Sequence, residues 1–272
     1  LNGQLTNDIT KLRSGCSLYT CALSAKGKLC GDLFVTPLAD ALLLDFEPAL
    51  RDSLPARLEK YLIADEVELA DVTDQFALFH VCDMMFPDPI LPEGTITMSN
   101  RFAMDGKDLL VPATLKNVVP PLLKNAPLTA SELEQFRIEQ GIPRWGAELS
   151  EKVIPNEAGL DERAISYTKG CYLGQEIISR IKSLGHVNRH LRGIRLLDGP
   201  DLQPGDQLGR EEGKKLGTVT SACASDRLDA WIGLAYLKRG FDQVGAVYQV
   251  SRSATSGLIG NAEVRSLSFV QS

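Results

Sequence analysis

The chain has 272 residues, 44% of them hydrophobic and 24% charged, with 35 acidic against 29 basic side chains and a formal net charge of -6. That length supports a sizeable core and more than one domain, and the acidic balance argues against general nucleic-acid affinity, which needs clustered Lys and Arg to neutralise phosphates. No apolar run approaches the roughly 18 residues of a membrane span, and the chain does not open with the basic, apolar and small-residue order of a signal peptide.

Six cysteines, at 16, 21, 30, 82, 171 and 223, form no CxxC pair and show no regular spacing. They do not make a zinc or iron–sulfur ligand set by themselves, and a disulfide framework is not expected at this length, so no metal site is assigned. A reducing cytoplasm is the simplest compartment.

In chain order, residues 29–35 and 41–46 read as short apolar strands separated by the turn residues PLAD. Residues 47–62 place Leu50, Leu54, Leu58, Tyr61 and Leu62 near one face of a helix, 66–72 alternate like a strand, and 76–82 is a further strand. The proline-rich stretch 84–94 is expected to be a loop. Thr129 and Glu132 make a capping-box pattern that opens a helix running to about Gln140, where Gly141 supplies the stop.

After Gly185 the pattern changes to short β-prone runs (RGIRLLD, KLGTVTSACAS, AWIGLAYLKR, VGAVYQVSR, NAEVRSLSF) broken by Gly, Pro and Asp turns. These predict a small antiparallel barrel or sandwich. The fold expected is therefore α+β, with a first domain over 1–184 and a β-barrel domain over 185–272.

Residues 169–176, KGCYLGQE, join a thiol, a cation and a glycine-bounded turn. A helix is expected from about Gly174 through EIISRIKS, which puts Cys171 near a helix N-terminus. Unpaired N–H groups there and the Lys169 ammonium favour thiolate, lowering the thiol pKa, while Glu176 opposes that shift. The competing reading is a buried cysteine that fills space beside the helix. Between 177 and 197 stand Arg180, Lys182, Arg189, Arg192 and Arg195 with no acid among them, either a solvated face or a rim for a small polyanion. No Gly-x-Gly-x-x-Gly or P-loop gives a nucleotide cradle.

RIEQGIPRWGAEL (137–149), IPNEAGLDERAISYTKGCYLGQEIISR (154–180) and the opening LNGQLTNDITKLRSG resemble the YgfZ-type proteins, folate-binding iron–sulfur cluster assembly or repair factors related to the glycine-cleavage T-protein. The resemblance covers about half the chain. It implies a T-protein-like folate-binding domain followed by a C-terminal β-barrel, a first segment that begins before Leu1, and tetrahydrofolate as cofactor. It makes Cys171 and Lys169 the reactive pair. Cofactor contacts fall to Arg137, Glu139, Trp145, Glu157, Tyr172 and Gln175, with Arg137 at the position of the arginine near the cofactor's glutamate portion. Alternative uses are helix surface or turn hydrogen bonding for Glu139 and Glu157, and packing for Trp145 and Tyr172. The partners implied are reduced folate and iron–sulfur client or assembly proteins, with neither nucleic acid nor membrane.

Two positions depart from the T-protein pattern. Where those relatives carry two consecutive acids in Gly-Gly-Ile-x-Asp-Asp-Leu, this chain has GKLCGDLFV, with Gly31 at the first acid and Asp32 at the second. In the counterpart of the Gly-Tyr-Thr-Gly-Glu segment, Lys107 stands at the acid position and offers only donors. Independent turnover is therefore not expected, and the alternatives are a folate-dependent aminomethyl or one-carbon transferase and a docking scaffold without chemistry of its own.

Overall fold

The computed structural model describes residues 1–63, 66–82, 91–99, 101–102, 106–123, 126–210, 214–252 and 257–270. Two compact units share the chain, the first taking Leu1–Leu23, Cys30–Pro127 and Arg163–Leu173, the second Ser24–Leu29, Leu128–Glu162 and Gly174–Ser272. The expected division at 184/185 falls inside the second unit.

In the first unit, β1 (Leu18–Leu23), β2 (Leu29–Pro37) and β3 (Leu42–Asp45) form a three-stranded sheet in that order. β2 alternates as a half-buried strand should: Gly31, Leu33 and Val35 lie on the core face, Asp32 and Phe34 on the other. Leu50 and Leu54 pack directly over Gly31, where an added Cβ would stand 3.1 and 3.3 Å from their Cδ1 atoms. The helix expected over 47–62 is shorter and broken. It is a 3-10 turn, Pro48–Leu50, followed by α1 (Ser53–Glu59), because Pro48 and Pro55 each remove an N–H and so sit only in first turns. Residues 66–72 are not a strand either; the described ones are mostly exposed and lie outside both sheets.

A second antiparallel sheet runs β4-β6-β5, from β4 (Phe76–Val81), β5 (Ile96–Ser99) and β6 (Lys107–Pro112), with Leu78 opposite Leu110 and Thr97 opposite Leu109. α2 (Val119–Leu123) packs Val119 against Leu109 and Val111. Most of the loop expected over 84–94 lies outside the described residues.

α3 (Ala130–Glu139) carries the expected capping box between Thr129 and Glu132, and Gly141 at φ 69° ends it in the left-handed conformation that glycine adopts without a Cβ clash. α4 (Asp161–Ala164) is a single turn, and α5 (Gln175–Leu184) begins after Gly174 as expected. The C-terminal strands β7 (Arg189–Asp198), β8 (Gln207–Gly209), β9 (Lys215–Ser225), β10 (Ala230–Lys238), β11 (Val247–Arg252) and β12 (Gly257–Arg265) close an antiparallel barrel in the order β10-β7-β12-β11-β8-β9. Register shifts at Leu234/Ala235, Val250/Ser251, Asn261/Ala262 and Leu208/Gly209 supply the local bends that closure requires. Among the described residues no helix is long and apolar enough to cross a membrane.

Candidate functional site

The outer face of β2 in the first unit carries a carboxyl group next to a packed pair of aromatic rings. Tyr19 of β1 and Phe34 of β2 lie 4.7 Å apart, centroid to centroid, with planes inclined by 31°. The Tyr19 hydroxyl donates to Asp32 Oδ2 at 2.9 Å. Asp32 Oδ1 is sealed from solvent and has no hydrogen-bond partner among the described residues. Burial, with Glu47 adding repulsion, pushes the Asp32 carboxyl up to about 6 despite the Tyr19 bond. The same burial, together with Asp32, raises the Tyr19 phenol well above its ordinary range, so it remains a donor.

Two guanidinium groups face these rings, Arg163 at 5.6 Å from the Tyr19 centroid and Arg101 at 5.2 Å from that of Phe34. Arg101 is held by the Asp45 carboxylate and by Asp108 Oδ2, to which its backbone N–H and Nε donate at 3.2 and 3.3 Å. His80 Nδ1 meets the other Asp108 oxygen at 2.9 Å. Arg163 donates one N–H to the Arg101 carbonyl at 3.1 Å. The result is a partly aromatic platform with one buried acceptor oxygen that lacks a donor and with guanidinium groups over its rings.

Cys171 is exposed on the stretch Arg163–Leu173 of the same unit. Lys169 is buried, and its ammonium donates to the carbonyls of Asn2 (2.6 Å), Leu5 (2.8 Å) and Asn7 (2.7 Å) and to Asn2 Oδ1 (2.9 Å). Burial pushes Lys169 down to about 8, against the pull of Asp8. Its three N–H groups are thus turned to backbone acceptors, with the Tyr172 ring 5.4 Å away. Tyr172 is 7% exposed and is raised to about 12 by burial, which fits packing.

Arg137, Glu139, Trp145, Glu157 and Gln175 belong to the second unit. Arg137 is 4% exposed, and all five of its N–H donors are taken: Nε and Nη2 reach Glu134, Nη1 reaches the Ile142 carbonyl and Glu148, and Nη2 also reaches Ser221 Oγ at 2.7 Å. Glu139 accepts from Gln135 and Ser225, and Glu157 takes two bonds from Arg189 at 3.1 and 3.0 Å. Trp145 is partly buried and its backbone bridges to Leu149; Gln175 opens α5. The basic run is largely neutralised, with Arg180 on Glu176, Arg189 on Glu157 and Arg192 on Asp242. Among the described residues no cluster of three His, Cys, Asp or Glu could hold a metal ion.

The sequence reading placed Asp32 at the second acid of the T-protein pattern and gave it no part in the site. Its signal was there: an acid in an otherwise apolar strand, on the same face as Phe34 two residues on.

Residues 189–270 match the glycine cleavage T-protein C-terminal barrel domain. The aminomethyltransferase T of the Bartonella henselae glycine cleavage system superposes with a TM-score of 0.80 over 99% of this chain and 80% of its own, at 17% identity. The tRNA-modifying protein YgfZ of Cronobacter sakazakii is 27% identical, covering 83% of this chain and 75% of its own length. The chain is similar to YgfZ-type proteins and to aminomethyltransferases of the glycine-cleavage T-protein superfamily. A mitochondrial homologue of the iron–sulfur cluster assembly factor IBA57 in Dictyostelium discoideum is 24% identical over 70% of this chain. A putative chloroplastic transferase of Arabidopsis thaliana is 29% identical over 86% of it. This chain spans 62% of the length of the Arabidopsis protein and 56% of that of the Dictyostelium protein.

Proposed function

We propose that this protein is a cytoplasmic accessory factor for assembling or repairing iron–sulfur clusters in other enzymes, that it binds a reduced folate on the Tyr19–Asp32–Phe34 platform, and that Cys171 is its working thiol. The observation that carries the folate reading is the unpartnered Asp32 Oδ1 beside two ring faces. A buried acceptor without a donor is costly, and the amino-pyrimidinone edge of a pterin offers adjacent N–H groups that satisfy it. Arg163, with one N–H on the Arg101 carbonyl, is the cation available to a ligand carboxylate; Arg137 has no donor to give. The name of the IBA57 relative supports the cluster role, while that of the YgfZ relative points to a part in tRNA modification.

A one-carbon transferase is the second reading, favoured by the Arabidopsis and aminomethyltransferase relatives. Against it stands Gly31, whose side-chain space is filled by Leu50 and Leu54, so no acid stands on the core face of β2 at that point.

Two measurements test the proposal. Titration with 5-formyltetrahydrofolate should show binding that Asp32→Ala weakens at least tenfold, the size of a lost charge-assisted hydrogen bond at about 1.5–3 kcal/mol. Cys171→Ala should bind the same ligand within about twofold yet fail to restore an iron–sulfur enzyme in a strain lacking the protein. Full restoration by Cys171→Ala removes the thiol from the function, and turnover of a glycine-derived donor by the wild type would establish the transferase instead.

A further inference from the structure

The stretch Arg163–Leu173 runs from the ring platform to the exposed thiol, and a series of anchors along it goes to one N-terminal segment. Thr6 Oγ1 donates to the Ala164 carbonyl at 2.6 Å and the Ser166 N–H to the Thr6 carbonyl at 3.0 Å. Lys169 caps the carbonyls of Asn2, Leu5 and Asn7, and the Leu173 N–H donates to the Gly3 carbonyl at 3.1 Å. Cys171 is therefore held at two points, two residues to either side. Asn7 faces both ends of the strap: its Nδ2 donates to the Tyr19 carbonyl at 2.9 Å and to the Arg163 carbonyl at 3.3 Å, while its own carbonyl accepts from Lys169.

We propose that Lys169 is a positioning residue for Cys171, locking this strap to residues 2–7 so that a ligand seated on Tyr19 and Asp32 sets the reactivity of the thiol. The inference rests on the folate reading above. Lys169 directs its N–H groups to backbone carbonyls, and the charged or titratable groups around it are Asp8, itself beside Lys11 and Thr10, and Tyr172, which Cys21 of β1 faces in turn. Its charge thus serves the chain fold of the strap. A planar ligand on the Tyr19 ring competes with Arg163 for that ring face, and movement of Arg163 is passed to Cys171 through a strap with four anchor points. Such coupling is reciprocal: whatever fixes the strap also changes ligand affinity.

The test is the rate of Cys171 alkylation by iodoacetamide at pH 7, followed by peptide mass, with and without saturating 5-formyltetrahydrofolate. The ligand should change the wild-type rate at least about threefold, and Lys169→Met should reduce that response below about 1.5-fold while still binding the ligand. The pH midpoint of Cys171 alkylation should be the same in Lys169→Met as in the wild type, because a positioning role leaves thiol acidity alone; a midpoint that rises in the variant means electrostatic activation and overturns the proposal. Should Lys169→Met not fold, amide exchange at Leu173 in the wild type takes its place, with slower exchange on ligand addition expected and unchanged exchange counting against the idea. Bound ligand without any change at Cys171 or Leu173 sinks the coupling alone. Absence of ligand binding to the wild type removes the folate reading and this inference with it.

Discussion

Each unit buries a cluster of charged side chains, and the two differ in what is left over. Around Arg137 in the second unit, five donors meet Glu134, Glu148, Ile142 and Ser221, and Ser221 Oγ in turn donates to Glu148 Oε1 at 2.5 Å. Around Asp32 in the first unit, one carboxylate oxygen has no donor and rings stand beside it. A satisfied network in low dielectric fixes structure; an unsatisfied buried oxygen carries a cost that a water or a ligand donor relieves. The contrast teaches that residue type alone does not tell the two cases apart, whereas a count of unpaired donors and acceptors does.

The sharpest way to break the comparison is Arg137→Ala. It leaves Glu148, whose side chain is fully buried, without its cation, and unfolding by urea should show a loss of about 3–5 kcal/mol, with reduced-folate affinity unchanged. A stable variant with weakened folate binding would make Arg137 a ligand residue after all.

Asp32→Asn probes the other cluster and should act in the opposite sense. The folded carboxyl titrates near 6 and the unfolded one near the ordinary value of about 3.9, so the native state binds the extra proton between those limits. Stability held below pH 4 is then lost as pH rises through 6, on the order of 3 kcal/mol, and Asn should recover it at pH 7 while folate binding falls. Urea midpoints for both proteins across pH 4–7 check this. Parallel curves would mean that Asp32 is ionised without cost and that its open oxygen is not a reservoir for a ligand.

Gly31→Ala is the smallest change. The new methyl meets the Cδ1 atoms of Leu50 and Leu54 at 3.1 and 3.3 Å and should cost about 1 kcal/mol in thermal or urea unfolding, leaving the ring platform on the opposite face of β2 able to bind. A neutral substitution would show that the leucines yield easily.

Much of the architecture was legible in the sequence because local rules agree with the fold there. The strand over 29–35, the Thr129–Glu132 cap, the start of α5 after Gly174 and the β-prone runs of the barrel all reappear as structure. The misreadings have local causes. Leucine spacing over 47–62 outweighed Pro48 and Pro55, and alternation over 66–72 ignored the need for a pairing neighbour. The site was less legible. Lys169 beside Cys171 in sequence suggested charge acting on a thiol, but its acceptors come from residues 2–7, more than 160 positions away along the chain. Arg137 looked available for the same reason: Ser221, one of its partners, is 84 residues distant.

The packing at Gly31 also bears on redesign. A second acid in this strand needs room on its core face, and here two leucines occupy that room. Placing aspartate at position 31 alone would press a carboxylate into aliphatic carbon, so it requires Leu50 or Leu54 to shrink as well. The carboxyl that this strand carries without rebuilding its core is the one on its other face.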